Sequence, residues 1–428
     1  WGRASSGDED MTTRRSFLKA CAAAGALMPG LGIGRLAYAA TDAAAPLTVV
    51  VFLRGGCDGL LLAGPANEPA YVEARPPELR VLDGGERAGL PLANGLTADL
   101  DFRLHPDARP LYELYQAGRL ALVHAVGLTN GTRSHFEAQD LIERGVSTLE
   151  QAYRTPEGWL TRYLTLYGGA DGSADHLAAL AAGAGLPASL ARQGDALALP
   201  DLQGGVGLPG GTDGAALLGQ LYAAGDSPVH EAGRRALARL SQVDAHLPRT
   251  PDGKLAPYAP DGAGYESGAF SLGLQAIARV ARMNVGLRVA CIDHASWDTH
   301  DAESGRFGGL VGQLSRGLAA FHRDLASAGI PFRLVAMSEF GRRLRANRSQ
   351  GTDHGHGGAM LVLGEGVRGG RMLGRWPGLS TPALDQGVDL AVTTDWRAVL
   401  AELLALDGRG RGLVFPGLPV EAPLGVLG

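Results

Sequence analysis

One run of residues, Leu47 to Leu53 (LTVVVFL), limits the fold more than any other feature of the chain. It is apolar without alternation and rich in β-branched side chains. Such a run suits a strand buried on both faces of a parallel sheet. Further strand-length apolar runs follow at Leu120 to Val126, Arg288 to Ile292, Phe332 to Met337 and Met360 to Leu363. Between them lie helical segments at Leu111 to Ala117, Trp159 to Tyr167, Phe270 to Met283 and Val311 to Ala326. The last is long enough to return the chain across a sheet to the Phe332 strand. Strands alternating with helices predict an α/β fold, with a mostly parallel central sheet and helices on both faces.

In open α/β sheets, ligands bind outside the carboxyl ends of the strands. Here the strand ends carry chemistry. The first run leads into Arg54-Gly55-Gly56-Cys57-Asp58, and Leu120 to Val126 leads into Thr132-Arg133-Ser134-His135. Arg288 to Ile292 is followed by Asp298-Thr299-His300. Phe332 to Met337 delivers Ser338, Glu339 and Arg342, and after a polar loop comes Asp353-His354-Gly355-His356. Asp, Glu and His are the side chains that hold zinc, manganese or iron. A single turn Asp usually bonds its own backbone, but the recurrence at one strand end after another argues for one shared site. Asp58, Asp298, His300, Glu339, Asp353, His354 and His356 are the candidate metal ligands. Ser134, or else Thr132, is the candidate nucleophile, because a helix N-terminus offers N–H groups to an anion. Glu137 stands three residues after Ser134, which is also capping-box spacing, so a capping role and a chemical role can hold together. Arg342 joins these two as a catalytic candidate.

The 428 residues suffice for a large core, and 45% hydrophobic with 19% charged content marks a globular chain. A net charge of −5 lacks the basic footprint of a nucleic-acid binder. Cys21, Cys57 and Cys291 are too few and too scattered for a cysteine zinc site or a disulfide framework. Trp1 to Asp10 reads as a tag remnant or an upstream misread, with Met11 as the start. Thr13 to Lys19 has a twin-arginine export pattern, Ala20 to Leu36 is weakly apolar, and Ala37-Tyr38-Ala39 is a small-x-small cleavage site. Residues 1–39 are therefore expected to be removed, leaving a periplasmic or secreted protein without a transmembrane span. Residues 40–428 read as a single domain with a Gly/Ala-rich insertion at about 172–260.

The export pattern, VVVFLRGGCDGL, RSHFEAQD, SWDTH, MSEFGRRLRAN, GTDHGHGGAM, GRWPGL, TTDWRAVL and VFPG together resemble the bacterial domain-of-unknown-function 1501 family. That family is similar to the alkaline phosphatase and sulfatase superfamily. The resemblance implies an alkaline-phosphatase-like fold, with two metals held by Asp and His at strand ends and a Ser or Thr nucleophile. It assigns Asp58 as the first-strand ligand, Asp298 and His300 as ligands of one metal, and Ser134 as the nucleophile. Glu339 stands at the position of the superfamily's strand-end Asp, and His354 or His356 supplies the late histidine. Asp298 and His300 are closer together in sequence than the superfamily's Asp and His. The implied activity is metal-dependent hydrolysis of a phosphate or sulfate ester, small or polymeric, with zinc, manganese or calcium. The alternative is a non-catalytic exported protein that keeps the fold and binds a ligand.

Overall fold

The computed structural model describes residues 45–428 apart from 94, 168–176 and 209. The export pattern, the cleavage site and Cys21 lie outside the described residues. In chain order the strands are β1 Leu47–Leu53, β2 Ala63–Pro65, β3 Leu90–Pro91, β4 Phe102–Leu104, β5 Leu120–Gly127, β6 Ala179–Ala182 and β7 Ala196–Ala198. They continue with β8 Val289–His294, β9 Phe332–Met337, β10 Arg342–Ala346, β11 Thr352–His354, β12 Gly358–Gly364, β13 Arg371–Leu373 and β14 Thr394–Asp395.

Nine of these form the central sheet, in the order β13-β5-β12-β9-β1-β8-β6-β7 with β14 beside β5. β1 occupies the middle, and its run of apolar side chains is buried along its whole length. The alternation of a strand sends its side chains to two cores. Val49, Val51 and Leu53 enter one, while Val50 and Phe52 enter the other. β9 divides the same way, with Leu334 and Ala336 on one side and Val335 and Met337 on the other. The helices Ala269–Arg282 and Glu303–Ser327 contribute to the first core, and His135–Arg144 and Trp396–Leu403 to the second. The sheet is thus covered on both faces, as the unalternating β1 run requires.

Strand direction is what places the loops. β1 runs parallel to β8 and to β9, with Phe52 opposite Asp293 and Met337. β12 runs antiparallel to both β9 and β5, so β5 points the same way as β1, β8 and β9. The loops that leave these four strands therefore emerge at one edge, and the chain enters β12 from that edge too.

Two segments differ from the sequence reading. Part of the stretch read as an insertion is built into the sheet, because β6 pairs with β8 and β7 with β6. The polar loop expected after Glu339 contains a hairpin, β10 paired with β11. Cys57 and Cys291 are both buried and free. Among the described residues no helix is long and apolar enough to cross a membrane.

Candidate metal centre

Four loops at the carboxyl edge bring side chains together, and the packing that does so begins with glycine. Gly55 has φ +122°, and a Cβ there would lie 2.4 Å from the backbone nitrogen of Asp298. Only glycine lets the loop after β1 lie against the loop after β8. Arg342 then ties the loops together. Its guanidinium donates to the carbonyls of Gly55, Gly56 (2.7 Å), Trp297 (3.0 Å) and Thr352 (2.8 Å), and to Asp298 Oδ1 (2.7 Å). These bonds occupy the fork, so Arg342 holds Asp298 in place and faces loop backbone on its other sides.

Around Asp298 Oδ1 stand three imidazole Nε2 atoms: His300 at 3.1 Å, His354 at 3.2 Å and His135 at 3.6 Å. His300 Nε2 and His354 Nε2 are 2.9 Å apart. Each ring turns its Nδ1 to an acceptor. His135 Nδ1 lies 2.8 Å from Glu339 Oε1, His300 Nδ1 3.2 Å from Asp353 Oδ1, and His354 Nδ1 2.9 Å from the Arg133 carbonyl oxygen. An acceptor opposite Nδ1 assigns the proton of a neutral ring to Nδ1 and leaves a lone pair on Nε2. With the rings neutral in that tautomer, the Nε2 lone pairs face the Asp298 oxygen, and His135 Nε2 is buried without a hydrogen-bond partner. Phe340 packs against the His135 and His354 rings, with centroids 4.9 and 4.8 Å away.

A cation suits this donor set. Bonds of about 2.0–2.1 Å at tetrahedral angles separate ligand atoms by roughly 3.3 Å. From Asp298 Oδ1 the Nε2 atoms of His354 and His135 stand at 3.2 and 3.6 Å, which bracket that value. The ligand atoms of His135, Asp298 and His354 all lie within 4.8 Å of one another; His300 joins them through Asp298 and His354. Histidine ligands whose far nitrogen is held by a carboxylate or a backbone carbonyl are the usual outer-shell arrangement of metal sites.

The charges are consistent with this. Burial pushes the Asp298 carboxyl up, but the Arg342 guanidinium bonded to it, with the His354 and His300 imidazoles beside it, overrides this and holds it down to about 2. Glu339 is more deeply buried, yet donors from His135, Gln139 and Gly55 bring it to about 2 as well. The hydrogen bond to Glu339 raises His135. Burial lowers His354, against the pull of Asp298.

The remaining candidates fall elsewhere. Glu339 is fully buried behind His135, where its Oε1 accepts from Gly55 N (2.9 Å), Gln139 Nε2 (2.8 Å) and His135. Asp353 lies behind His300 and also accepts from Asn347 Nδ2 at 3.1 Å. Asp58 is the N-cap of the short helix Gly59–Leu62, accepting from Leu60 N and Leu61 N at 3.0 Å each, and pairs with buried Arg75 at 2.6 Å. His356 Nε2 meets the Leu128 carbonyl oxygen at 2.7 Å, and its Nδ1 is 3.1 Å from Asp385 but off the hydrogen-bond direction. Ser134 holds the N-cap position of His135–Arg144 without making a side-chain cap bond, and Thr132 Oγ1 accepts from Ser134 N at 3.3 Å.

Residues 230–408 match the model of a family described as Protein of unknown function (DUF1501). The DUF1501 match spans Asp298, His300, Glu339, Arg342, Asp353 and His354, while His135 and Ser134 precede it. It supports the domain family that the motifs resemble. A comparison with curated proteins finds no match.

Proposed function

We propose that this chain is a metal-dependent hydrolase of phosphate or sulfate esters, with His135, Asp298 and His354 as metal ligands and His300 as the nearest further imidazole. The observation that carries the reading is the set of three histidines, each with Nδ1 committed to an acceptor and Nε2 turned to Asp298 Oδ1. Imidazole nitrogen suits zinc better than manganese or calcium, which favour oxygen ligands. Three protein ligands leave a coordination position open, as catalytic zinc sites do.

A bound divalent cation would supply Lewis-acid charge to the transferring group. The chain's own residues do the rest. Glu339 and Asp353 hold the rings of His135 and His300, and Arg342 holds Asp298. Ser134 Oγ, uncommitted as a cap and adjacent in sequence to His135, is the group to attack phosphorus or sulfur; its proton goes to the departing alcohol oxygen as the ester bond breaks, and water then cleaves the seryl ester to release phosphate or sulfate. The first N–H groups of His135–Arg144 favour the anionic oxygens.

The test is hydrolysis of 4-nitrophenyl phosphate and 4-nitrophenyl sulfate with zinc or manganese supplied. Turnover should vanish on chelation and fall on the order of a hundredfold or more in Ser134→Ala and in His354→Ala. A metal-loaded wild type that cleaves neither ester would favour the non-catalytic binding protein. Retained activity in Ser134→Ala would move the attack to Thr132 or to water.

A further inference from the structure

The hairpin beside the centre has two sides. Along β10, Arg342 and Leu344 are buried while Arg343 and Arg345 are exposed. Arg342 is the register partner of His354, and both serve the centre. Beyond them, between the hairpin and the 379–388 segment, lies a cavity of about 360 Å³. Arg343, Arg345, Leu379, Thr381, Leu384 and Val388 line it. Asp353 also lines it, and its Oδ1 is 3.2 Å from His300 Nδ1. Asp353 and then the His300 ring stand between the cavity and the centre.

The far wall is anchored to the candidate nucleophile's own loop. Arg133 Nε donates to Asp389 at 2.7 Å and its Nη2 to Asp385 at 3.1 Å. Arg133 immediately precedes Ser134, and its carbonyl oxygen receives His354 Nδ1. Cavity, nucleophile loop and centre form one connected framework.

The volume falls within the range of about 300–1,000 Å³ typical of small-molecule sites. Leu379, Leu384 and Val388 offer apolar contact. Each arginine has an ion-pair neighbour, and Glu73 lines the cavity too, but those carboxylates stand beyond hydrogen-bond reach, so N–H donors remain. Arg343 Nε lies 3.9 Å from Asp389 and Arg345 Nη2 3.9 Å from Glu73. Charge-assisted bonds of this kind close at about 2.7–2.9 Å, and a guanidinium fork fits a carboxylate or phosphate with two bonds at once.

We propose that this cavity seats the organic group of the ester, and that Arg343 and Arg345 recognise a second anionic group carried on it. The substrate class is then an organic phosphate or sulfate bearing a further carboxylate or phosphate. For that class the inference rests on the hydrolase reading; the cavity's affinity for an anion does not.

Calorimetry with phenylphosphonate, 4-carboxyphenylphosphonate and benzoate separates the two. The proteins are wild type, the double variant Arg343→Ala/Arg345→Ala, and His354→Ala, all with zinc supplied. In wild type the added carboxylate should tighten phosphonate binding roughly tenfold. The double variant should lose that gain and keep its affinity for phenylphosphonate. In His354→Ala, phenylphosphonate binding should fall while benzoate still binds weakly. Equal affinity of wild type for the two phosphonates, or a carboxylate gain that survives loss of both arginines, would overturn the proposal. Benzoate binding that depends on the arginines, beside no phenylphosphonate binding at all, would refute the hydrolase reading and leave the anion site standing.

Discussion

Each histidine at the centre is fixed by the nitrogen it turns away from it. Glu339 shows the effect most clearly, because its Oε1 gathers donors from β1's loop, from the helix His135–Arg144 and from the His135 ring. Outer-shell partners of this kind are worth about 10–100-fold in metal affinity. Glu339→Gln should therefore weaken zinc binding by about that factor with the fold intact, measured by chelator competition; an unchanged affinity would remove Glu339 from the centre. Protons compete for the same lone pairs. Since the Glu339 bond raises His135, zinc binding should weaken as pH falls from about 8 toward 6, and Glu339→Gln should move that loss to lower pH. Sequence reasoning reaches Asp298, His300 and His354 because each follows a strand in a recurrent pattern. It passes over His135, since a lone histidine at a helix start carries no spacing signal. It groups Glu339 and Asp353 with the ligands, because sequence does not distinguish a carboxylate facing the centre from one a layer behind.

At the scale of elements, Asp58 belongs to a buried network that joins the helix Gly59–Leu62 to the start of Glu303–Ser327. Arg75 and Asp58 form an ion pair with both side chains out of solvent. Glu303 accepts from Thr299 at 2.7 Å and from Thr352 at 2.8 Å. Breaking a buried pair by removing one partner costs about 3–5 kcal/mol. Arg75→Met should lower stability by about that amount in urea titration and leave metal stoichiometry unchanged; loss of metal without loss of stability would instead make Asp58 a ligand. Burial, with Asp58 beside it, pushes the Glu303 carboxyl up from 4.5 to about 7. Folding then favours the protonated form. The contribution is complete below about pH 4.5 and is lost as pH rises through about 7. Wild type should lose stability relative to Glu303→Gln between about pH 5 and pH 8, and a wild type that gained stability relative to that variant over this range would contradict the assignment. The sequence offers Asp58 as a metal ligand or as a turn Asp bonding its own backbone, and the structure gives it the backbone bonds of the second reading. Asp58 is buried with Arg75 as its partner, and Glu303 with Thr299 and Thr352, and no local pattern links these residues.

At the scale of the whole molecule, the long apolar strands were legible, because runs such as Leu47–Leu53 and Phe332–Met337 carry their burial in their composition. The shared direction of β1, β5, β8 and β9 sets where their loops meet, and that placement needs only topology. The short strands were not legible. β11 is three residues long and β6 consists of Ala and Leu alone, too little for a period to show. The export reading also belongs to this scale. Replacing both Arg14 and Arg15 with Lys should leave the protein in the cytoplasm on cell fractionation, and normal export of that variant would refute a twin-arginine signal.

On the proposed function, the Nε2 atoms of His135 and His354 and the Asp298 oxygen enclose a cation. Anomalous diffraction at the zinc edge, from crystals of the zinc-loaded protein, tests it most directly. A single strong peak is expected about 2.0–2.1 Å from His135 Nε2, His354 Nε2 and Asp298 Oδ1, absent from crystals of His354→Ala. A map without a peak at that point, or with the zinc held by Asp58 or His356 instead, would contradict it.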